Sequence, residues 1–293
     1  MKKDIVIAAL ARDCEKALIN NIPLIEELRK QFESARVIVI ENDSKDNTKK
    51  LLKDWQDNSE DIKVISQDFG TKTIPTETSN NISPLSSFYR VEKMAFYRNM
   101  YLEYINELKG NIDYVIIIDI DILEFSVEEI VNSISNVNRN WGGIFSNGIT
   151  TRKIAGFKSK IYFDIFALYE YPFKEVFCYS QVSFDRTFKS INKNIKKNEF
   201  YSIISAFGGI GIYRYEAIKD LRYEAIQNPN NELEGICEHV SFNTKIVKKG
   251  YNNYISRNLI VDYGTHGIGL IFKLICPSFL FNFLYKEKLK FSK

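Results

Sequence analysis

The sequence is poor in histidine: among its 293 residues only His239 and His266 occur. A catalytic zinc centre built on three histidines is excluded, and any metal site must rest largely on carboxylates. Cysteine is almost as scarce. Cys14, Cys178, Cys237 and Cys276 lie far apart with no Cys-x-x-Cys pair, which argues against a zinc ribbon or a thioredoxin-like centre and fits a reduced, cytoplasmic protein. Glycine is missing from residues 8–15, directly after the first apolar run. A dehydrogenase needs a glycine-rich turn there, as does the phosphate loop of a sugar-1-phosphate nucleotidyltransferase, so both classes are disfavoured. The net charge is only +3. One lysine cluster besides the tail, at residues 189–197, has no RNA-recognition motif around it, and no nucleic-acid partner is expected. The amino-terminal apolar run is short, preceded by Asp4 and closed by Arg12, with no small-residue cleavage site. It reads as a buried first strand in a protein that is not exported.

What is present points to an α/β chain. Hydrophobic residues make up 45% and charged residues 26% of the sequence, enough for both a core and a solvated surface. Residues 4–10 and 36–40 are apolar runs suited to parallel strands covered on both faces. Between them Leu18, Ile22, Ile25, Leu28 and Phe32 recur at near-helical spacing and predict a helix over 14–33. This opening of a βαβ unit is followed by a predicted helix over 46–55 with Asp46 as N-cap. Residues 64–65 suggest a third strand. Residues 70–87, rich in Thr, Ser, Asn and Pro, predict a functional loop, and a helix follows over 89–108. Residues 157–188 are crowded with aromatics, which suit either strand packing or a sugar-stacking surface.

The most informative residues are Asp119 and Asp121, at the end of the apolar strand predicted over 114–118. Strand side chains alternate, so residues two apart point to the same side. Two like charges about 6 Å apart repel by roughly 3 kcal/mol at an effective dielectric near 20. A shifted pKa or a hard divalent ion with oxygen ligands, Mn²⁺ or Mg²⁺, resolves that conflict. Strand carboxyl ends of an open α/β sheet are where ligands bind, and a metal there can hold the diphosphate of a nucleotide sugar. The alternative is a surface turn with two solvated aspartates, which so apolar a strand seldom precedes.

Order along the chain strengthens the signal. Ala8-Ala9-Leu10-Ala11-Arg12 closes the first strand, Glu41-Asn42-Asp43-Ser44-Lys45-Asp46-Asn47-Thr48 follows the second, and Arg98-Asn99 precedes the Asp119–Asp121 strand. Then come Tyr162-Phe163-Asp164-x-Phe166-Ala167, Ser205-Ala206-Phe207-Gly208-Gly209-Ile210-Gly211-Ile212-Tyr213 and Cys237-Glu238-His239-Val240-Ser241-Phe242. Together these segments resemble the GT-A glycosyltransferases. More narrowly they resemble a bacterial branch related to fungal capsule-associated α-1,3-mannosyltransferases. The resemblance covers residues 5–266.

It implies a GT-A fold with a mostly parallel central sheet, in one catalytic domain over residues 1–267. It also implies transfer of a sugar from a GDP- or UDP-linked donor to a glycan or lipid-linked glycan acceptor, in surface polysaccharide or lipopolysaccharide synthesis. By the same resemblance Mn²⁺ or Mg²⁺ is held by Asp119, Asp121 and His266. The donor is met by Ala9, Arg12, Glu41, Asp43, Arg90, Lys93, Arg98, Asp119, Gly208 and Gly209. Glu238 or Asp164 aligns or deprotonates the acceptor. Tyr169-Glu170 depart from the family pattern, which has an Arg-Asp-like pair there.

Each residue keeps a plainer reading beside this one. Gly208-Gly209 is a tight bend between strands, Glu238 a charge stabilising a helix start, Asp164 a partnered structural acid, and His239 and His266 a core and a loop histidine. A non-catalytic carbohydrate-binding protein on the same fold is the rival at the level of the whole molecule. Residues 268–293 form an apolar and basic tail, interrupted by Lys273 and Pro277 and ending in Lys286, Lys288, Lys290 and Lys293. The tail reads as an interfacial segment on the cytoplasmic face of an inner membrane, or as a helix packed on the domain.

Overall fold

The computed structural model describes residues 1–76, 83–137, 140–154, 157–172 and 184–265. His266 and the tail at 268–293 lie outside the described residues. The elements run β1 (Asp4–Ala11), α1 (Glu15–Arg29), β2 (Ser34–Asn42), α2 (Thr48–Asp57), β3 (Ile62–Gln67), α3 (Phe88–Glu107), β4 (Tyr114–Asp119), β5 (Glu124–Phe125) and α4 (Val127–Asn136). They continue with β6 (Trp141–Ile154), β7 (Phe157–Tyr162), α5 (Phe184–Lys197), β8 (Phe200–Ile203), β9 (Ile210–Arg214) and α6 (Tyr215–Ile218). The last are β10 (Ile226–Asn228), β11 (Asn231–Ile236), α7 (Glu238–Lys248) and β12 (Asn252–Thr265). The α/β architecture read from the sequence is the one found.

One sheet carries the order β3-β2-β1-β4-β9-β6-β12-β5, with β7 beside β6 and β8 beside β12, while β10 and β11 form a separate hairpin. The first four strands are parallel. β9 enters antiparallel between β4 and β6, and β12 runs parallel to β6. Alternation along the strands explains why both sheet faces are covered. Val6, Ala8, Val115 and Ile117 point to one side, where they meet α3 and α7. Ile5, Ile7, Ile116 and Ile118 point to the other, against α1, α2 and α4. The chain leaves β1 towards β2 and β3, then returns to the far side of β1 as β4. That reversal opens a crevice beyond the carboxyl ends of β1 and β4, where Leu10 and Asp119 stand side by side in register.

The helix predicted to start at Asp46 starts at Thr48. Asp46 still caps, from one position further out: its carboxylate accepts the Thr48 N–H at 3.0 Å and the Glu15 N–H at 3.0 Å. One acid thereby serves the first turns of both α2 and α1. The segment around Gly208-Gly209 is a bend that leads into β9, so the sheet's second half owes its antiparallel character to a strand the periodicity did not resolve.

A buried amide fixes the turn that follows β4. Asn21, fully buried on α1, donates from its Nδ2 to the carbonyls of Ile120 and Ile122, each at 2.8 Å. The peptide groups flanking Asp121 are thus held by a side chain one hundred residues earlier in the chain. Asn21→Ala leaves two buried carbonyls without a donor and should cost about 2–4 kcal/mol. Urea denaturation reads this directly, and a loss below about 0.5 kcal/mol contradicts the clamp.

Candidate functional site

The crevice at the end of β1 and β4 is a cavity of about 280 Å³ whose wall includes Arg12, Arg90, Arg98, Asp119 and Asp121. Asp119 and Asp121 share one cavity, as expected, but the reason differs: β4 ends at Asp119, Asp121 lies in the turn beyond it, and Ile120 between them lines the same wall. Asp119 keeps 30% of its side chain accessible, and Asp121 is exposed. The Asp119 amide donates to the Gly209 carbonyl at 2.8 Å, and the Tyr263 hydroxyl stands 3.4 Å from its carboxylate. Burial lifts the Asp119 pKa to about 7, with Arg98 opposing and Asp121, Asp164 and Glu238 adding to the rise.

Arg98 stands at the centre of this charge. It projects from the middle of α3 and is 4% exposed. Its Nε donates to Glu238 Oε1 at 3.0 Å, one terminal nitrogen lies 3.4 Å from the Tyr101 hydroxyl, and the other is 3.9 Å from Asp119. The guanidinium faces the rings of Phe207 and Tyr223 at 5.3 and 5.7 Å. Glu238 is 3% exposed at the first position of α7, where the helix dipole also favours an anion. A buried pair of this kind is costly to break: removing one partner takes about 3–5 kcal/mol. The Asp119 contact at 3.9 Å contributes about 4 kcal/mol of attraction at an effective dielectric near 20, before desolvation is counted.

Asp164 closes the acid cluster. Its carboxylate accepts the N–H of Ala167 at 3.3 Å and of Gly208 at 3.0 Å. Burial raises its pKa against those bonds, Glu238 adds to the rise and Arg90 opposes it. Asp164 holds the glycine bend, and its charge adds to the rise in the Asp119 pKa, but it is not in the wall of the cavity. Gly208 takes φ +67°, and a Cβ there would lie 2.4 Å from the Ser146 carbonyl oxygen. The bend needs glycine for space as well as for conformation.

The donor-side residues divide. Arg12 lines the cavity and donates to the Thr71 carbonyl and the Thr73 hydroxyl at 3.2 and 3.1 Å. Arg90 lines it too, with a bond to the Leu85 carbonyl at 3.1 Å. Ala9, Glu41, Asp43, Lys93, Gly208 and Gly209, expected at the donor, are not in the wall of this cavity. Ala9 is buried in the core on the side of α1 and α2, while the wall of the cavity takes the last two residues of β1, Leu10 and Ala11. Glu41 is fully buried and accepts from the Ser44 N–H at 2.9 Å and from the Ser66 hydroxyl. Asp43, at φ +55°, accepts from Gly70 N–H at 2.7 Å and Asn42 Nδ2 at 3.0 Å. Burial works against its charge, but the Asn42 and Gly70 bonds and Arg12 hold its pKa below the usual value. These two acids shape the loop that frames the cavity. Lys93 lies over the Tyr89 ring, 5.7 Å from its centre.

The family model of cryptococcal mannosyltransferase 1 matches residues 4–243. The chain belongs to that family. Solved structures similar to this family member include a mannosyltransferase from Pyrobaculum calidifontis in complex with GDP-Man and Mn²⁺, at 12% identity and TM-score 0.47, covering 89% of this chain and 57% of that one. Residues 1–349 of TarS from S. aureus, in complex with UDP-GlcNAc, match at 10% identity and TM-score 0.49, covering 90% and 59%. Glucosyl-3-phosphoglycerate synthase from Mycobacterium tuberculosis, in complex with UDP, matches at 10% identity and TM-score 0.44, covering 91% and 72%. The chain spans less than two thirds of the length of the first two. Among curated proteins none is a significant sequence match.

In this member of the mannosyltransferase family, Asp119 and Asp121 offer hard oxygen donors to one cavity, a set that suits Mg²⁺ or Mn²⁺. Among the described residues no group of three or more His, Cys, Asp or Glu side chains is arranged to hold a metal. Sequence reasoning missed Asn21, a polar residue on the buried stripe of α1 between Leu18 and Ile25, and the cavity residues Asn42, Thr73, Ile74, Met94 and Tyr97, which the end of β2, a loop and a helix face bring together only by folding.

His239 is a core histidine in the described structure. It is 3% exposed and stacks on Phe207 with ring centres 4.0 Å apart, and neither ring nitrogen has a hydrogen-bond partner among the described residues. Burial first, then the Arg98 and Arg90 charges, hold its pKa well below the usual value, so the folded protein keeps it neutral. Only the unfolded chain takes up that proton, so the stability involved is complete above the unfolded pKa of about 6.5 and is lost as pH falls below it, by about 1.4 kcal/mol per pH unit. His239→Phe, which keeps the stack, should flatten the pH dependence of the urea midpoint below pH ~6.5 by that one-proton slope. Parallel profiles for the two proteins contradict it. Gly208→Ala should destabilise by about 1–3 kcal/mol and lower any activity, because the Cβ meets backbone that cannot yield cheaply. A thermal midpoint equal to wild type contradicts the packing described.

Proposed function

We propose that the protein is a metal-dependent glycosyltransferase of mannosyltransferase type, moving a sugar from a GDP- or UDP-linked donor to a glycan or lipid-linked glycan. The observation that carries the reading is Asp119 and Asp121 in one cavity wall with Arg12, Arg90 and Arg98, at the strand reversal where α/β sheets bind ligands. Family membership supports the sugar-transfer chemistry.

In this reading the cavity receives the donor's diphosphate. Arg12 and Arg90 meet its negative charge, and the carboxylates of Asp119 and Asp121 hold Mn²⁺ or Mg²⁺, which when bound neutralises charge on the departing nucleoside diphosphate. The backbone clamp from Asn21 keeps the two acids oriented without reorganisation. During transfer the bond from the anomeric carbon to the diphosphate oxygen breaks and a bond from that carbon to the acceptor oxygen forms. The acceptor's proton passes to Asp164, to Glu238 or to the departing diphosphate.

The acceptor we propose belongs to surface polysaccharide or lipopolysaccharide, with the enzyme on the cytoplasmic side and the tail at 268–293 lying against the inner membrane. Among the described residues no helix is long and apolar enough to cross a membrane.

Thermal unfolding with GDP and with UDP, each with and without Mn²⁺, tests the reading. The preferred nucleotide should stabilise by about 2.7 kcal/mol at one hundred times its Kd, and only with the cation present. Asp121→Ala should lose the cation-dependent part while remaining folded. Its turnover should fall on the order of 100-fold or more, the scale for losing a group that stabilises transition-state charge. Nucleotide binding indifferent to Mn²⁺, together with a fully active Asp121→Ala protein, refutes the proposal.

A further inference from the structure

The reading above assigns Arg98 no chemistry, yet the structure buries it more deeply than any other cation in the cavity wall. Of its five N–H hydrogens, the bonds described use one for Glu238 and one for Tyr101, and the remaining terminal nitrogen stands 3.9 Å from Asp119. Phe207 and Tyr223 cover the guanidinium, so it is desolvated and its charge is felt strongly by both acids. A lysine in its place offers a point charge and cannot present the same fork.

We propose that Arg98 is a positioning residue that couples the donor half of the site to Glu238. Without a cation, its charge is divided between Asp119 and Glu238. A divalent ion on Asp119 and Asp121 takes over the neutralisation of Asp119 and repels the guanidinium, leaving Arg98 wholly to Glu238. Filling the donor side thereby fixes the acid at the start of α7, on the side where the acceptor is aligned. The coupling is reciprocal, as any linkage between two binding events must be: what happens at Glu238 changes the affinity of the cation site. The inference rests on the proposed cation site at Asp119 and Asp121, and Arg98 acts through both acids rather than on the substrate.

A double-mutant cycle reads the coupling without any turnover. Mn²⁺ affinity is measured from the free-ion electron paramagnetic resonance signal, for the ion alone and with GDP or UDP present. The proteins are wild type, Arg98→Met, Glu238→Gln and the double variant. Arg98→Met should tighten Mn²⁺ binding, because a positive charge 3.9 Å from a ligand is gone. Glu238→Gln should weaken it about tenfold, partly because the released guanidinium turns to Asp119. That weakening should shrink by fivefold or more when Arg98 is absent. A residue that merely supports the fold gives additive effects, and additivity within twofold overturns the proposal.

Where Arg98→Met leaves Glu238 unpaired and does not fold, the same comparison uses Arg98→Lys and the neutral pair Arg98→Met with Glu238→Met, in which no buried charge is stranded. Arg98→Lys should keep Mn²⁺ binding near wild type and lose kcat with KM little changed. Equal kcat for Arg98→Lys and wild type also overturns the proposal. Wild-type protein that binds no Mn²⁺, with or without nucleotide, defeats the glycosyltransferase reading itself. Binding with an additive cycle defeats only the coupling.

Discussion

The site is organised around opposed charges held out of water. Asp119, Asp121, Asp164 and Glu238 converge where a parallel sheet reverses direction, and one desolvated guanidinium, Arg98, lies between two of them. Nothing in water would bring four carboxylates together. The core does it: Val115, Ile116, Ile117 and Ile118 are buried on both faces of β4 and deliver Asp119 to the crevice whatever the charge costs. The cost shows in Asp119, whose carboxyl titrates at about 7. A strand committed to the core on both sides can impose such strain on its final residue, and a bound cation is the simplest way to relieve it.

The surroundings serve the same end by different means. Asn21 ties the turn after β4 to α1 through two carbonyls. Asp164 secures Gly208, and the next residue, Gly209, takes the Asp119 amide. Asp46 caps two helices whose first turns flank the carboxyl ends of β1 and β2. Each is a polar side chain spent on backbone groups, which is what a precise constellation on loop ends requires. Glu41 and Asp43 belong with them. Their place in a segment resembling the family's marked them as donor contacts; in the structure their oxygens accept from Ser44, Ser66, Gly70 and Asn42 and fix the loop's shape.

Much of this was legible from the residues alone, wherever a periodic apolar pattern carries the information. The runs that became β1, β2 and β4 and the helix α1 follow from two spacings, two residues for strands and 3.6 for helices, whereas the shared cavity of Asp119 and Asp121 comes from the turn after β4. The later half was less so, because β6, β8 and β9 owe their places to pairing between distant segments, which periodicity cannot see. Ala9 shows the limit at a single position: only the last residues of β1, Leu10 and Ala11, reach the cavity wall, and Ala9 lies one step too deep in the core. Arg98 was visible as a donor-side arginine, but its partner Glu238 lies 140 residues away, and no local signal reveals a bond of that length.

The account turns on where a divalent ion sits. Crystals grown with Mn²⁺ and GDP or UDP, examined by anomalous scattering at the manganese edge, locate it without reference to activity. The result expected is a single strong peak within about 2.0–2.3 Å of Asp119 and Asp121 oxygens and of the diphosphate. A peak elsewhere, or a nucleotide seated in the cavity with both carboxylates turned from it, would contradict the account.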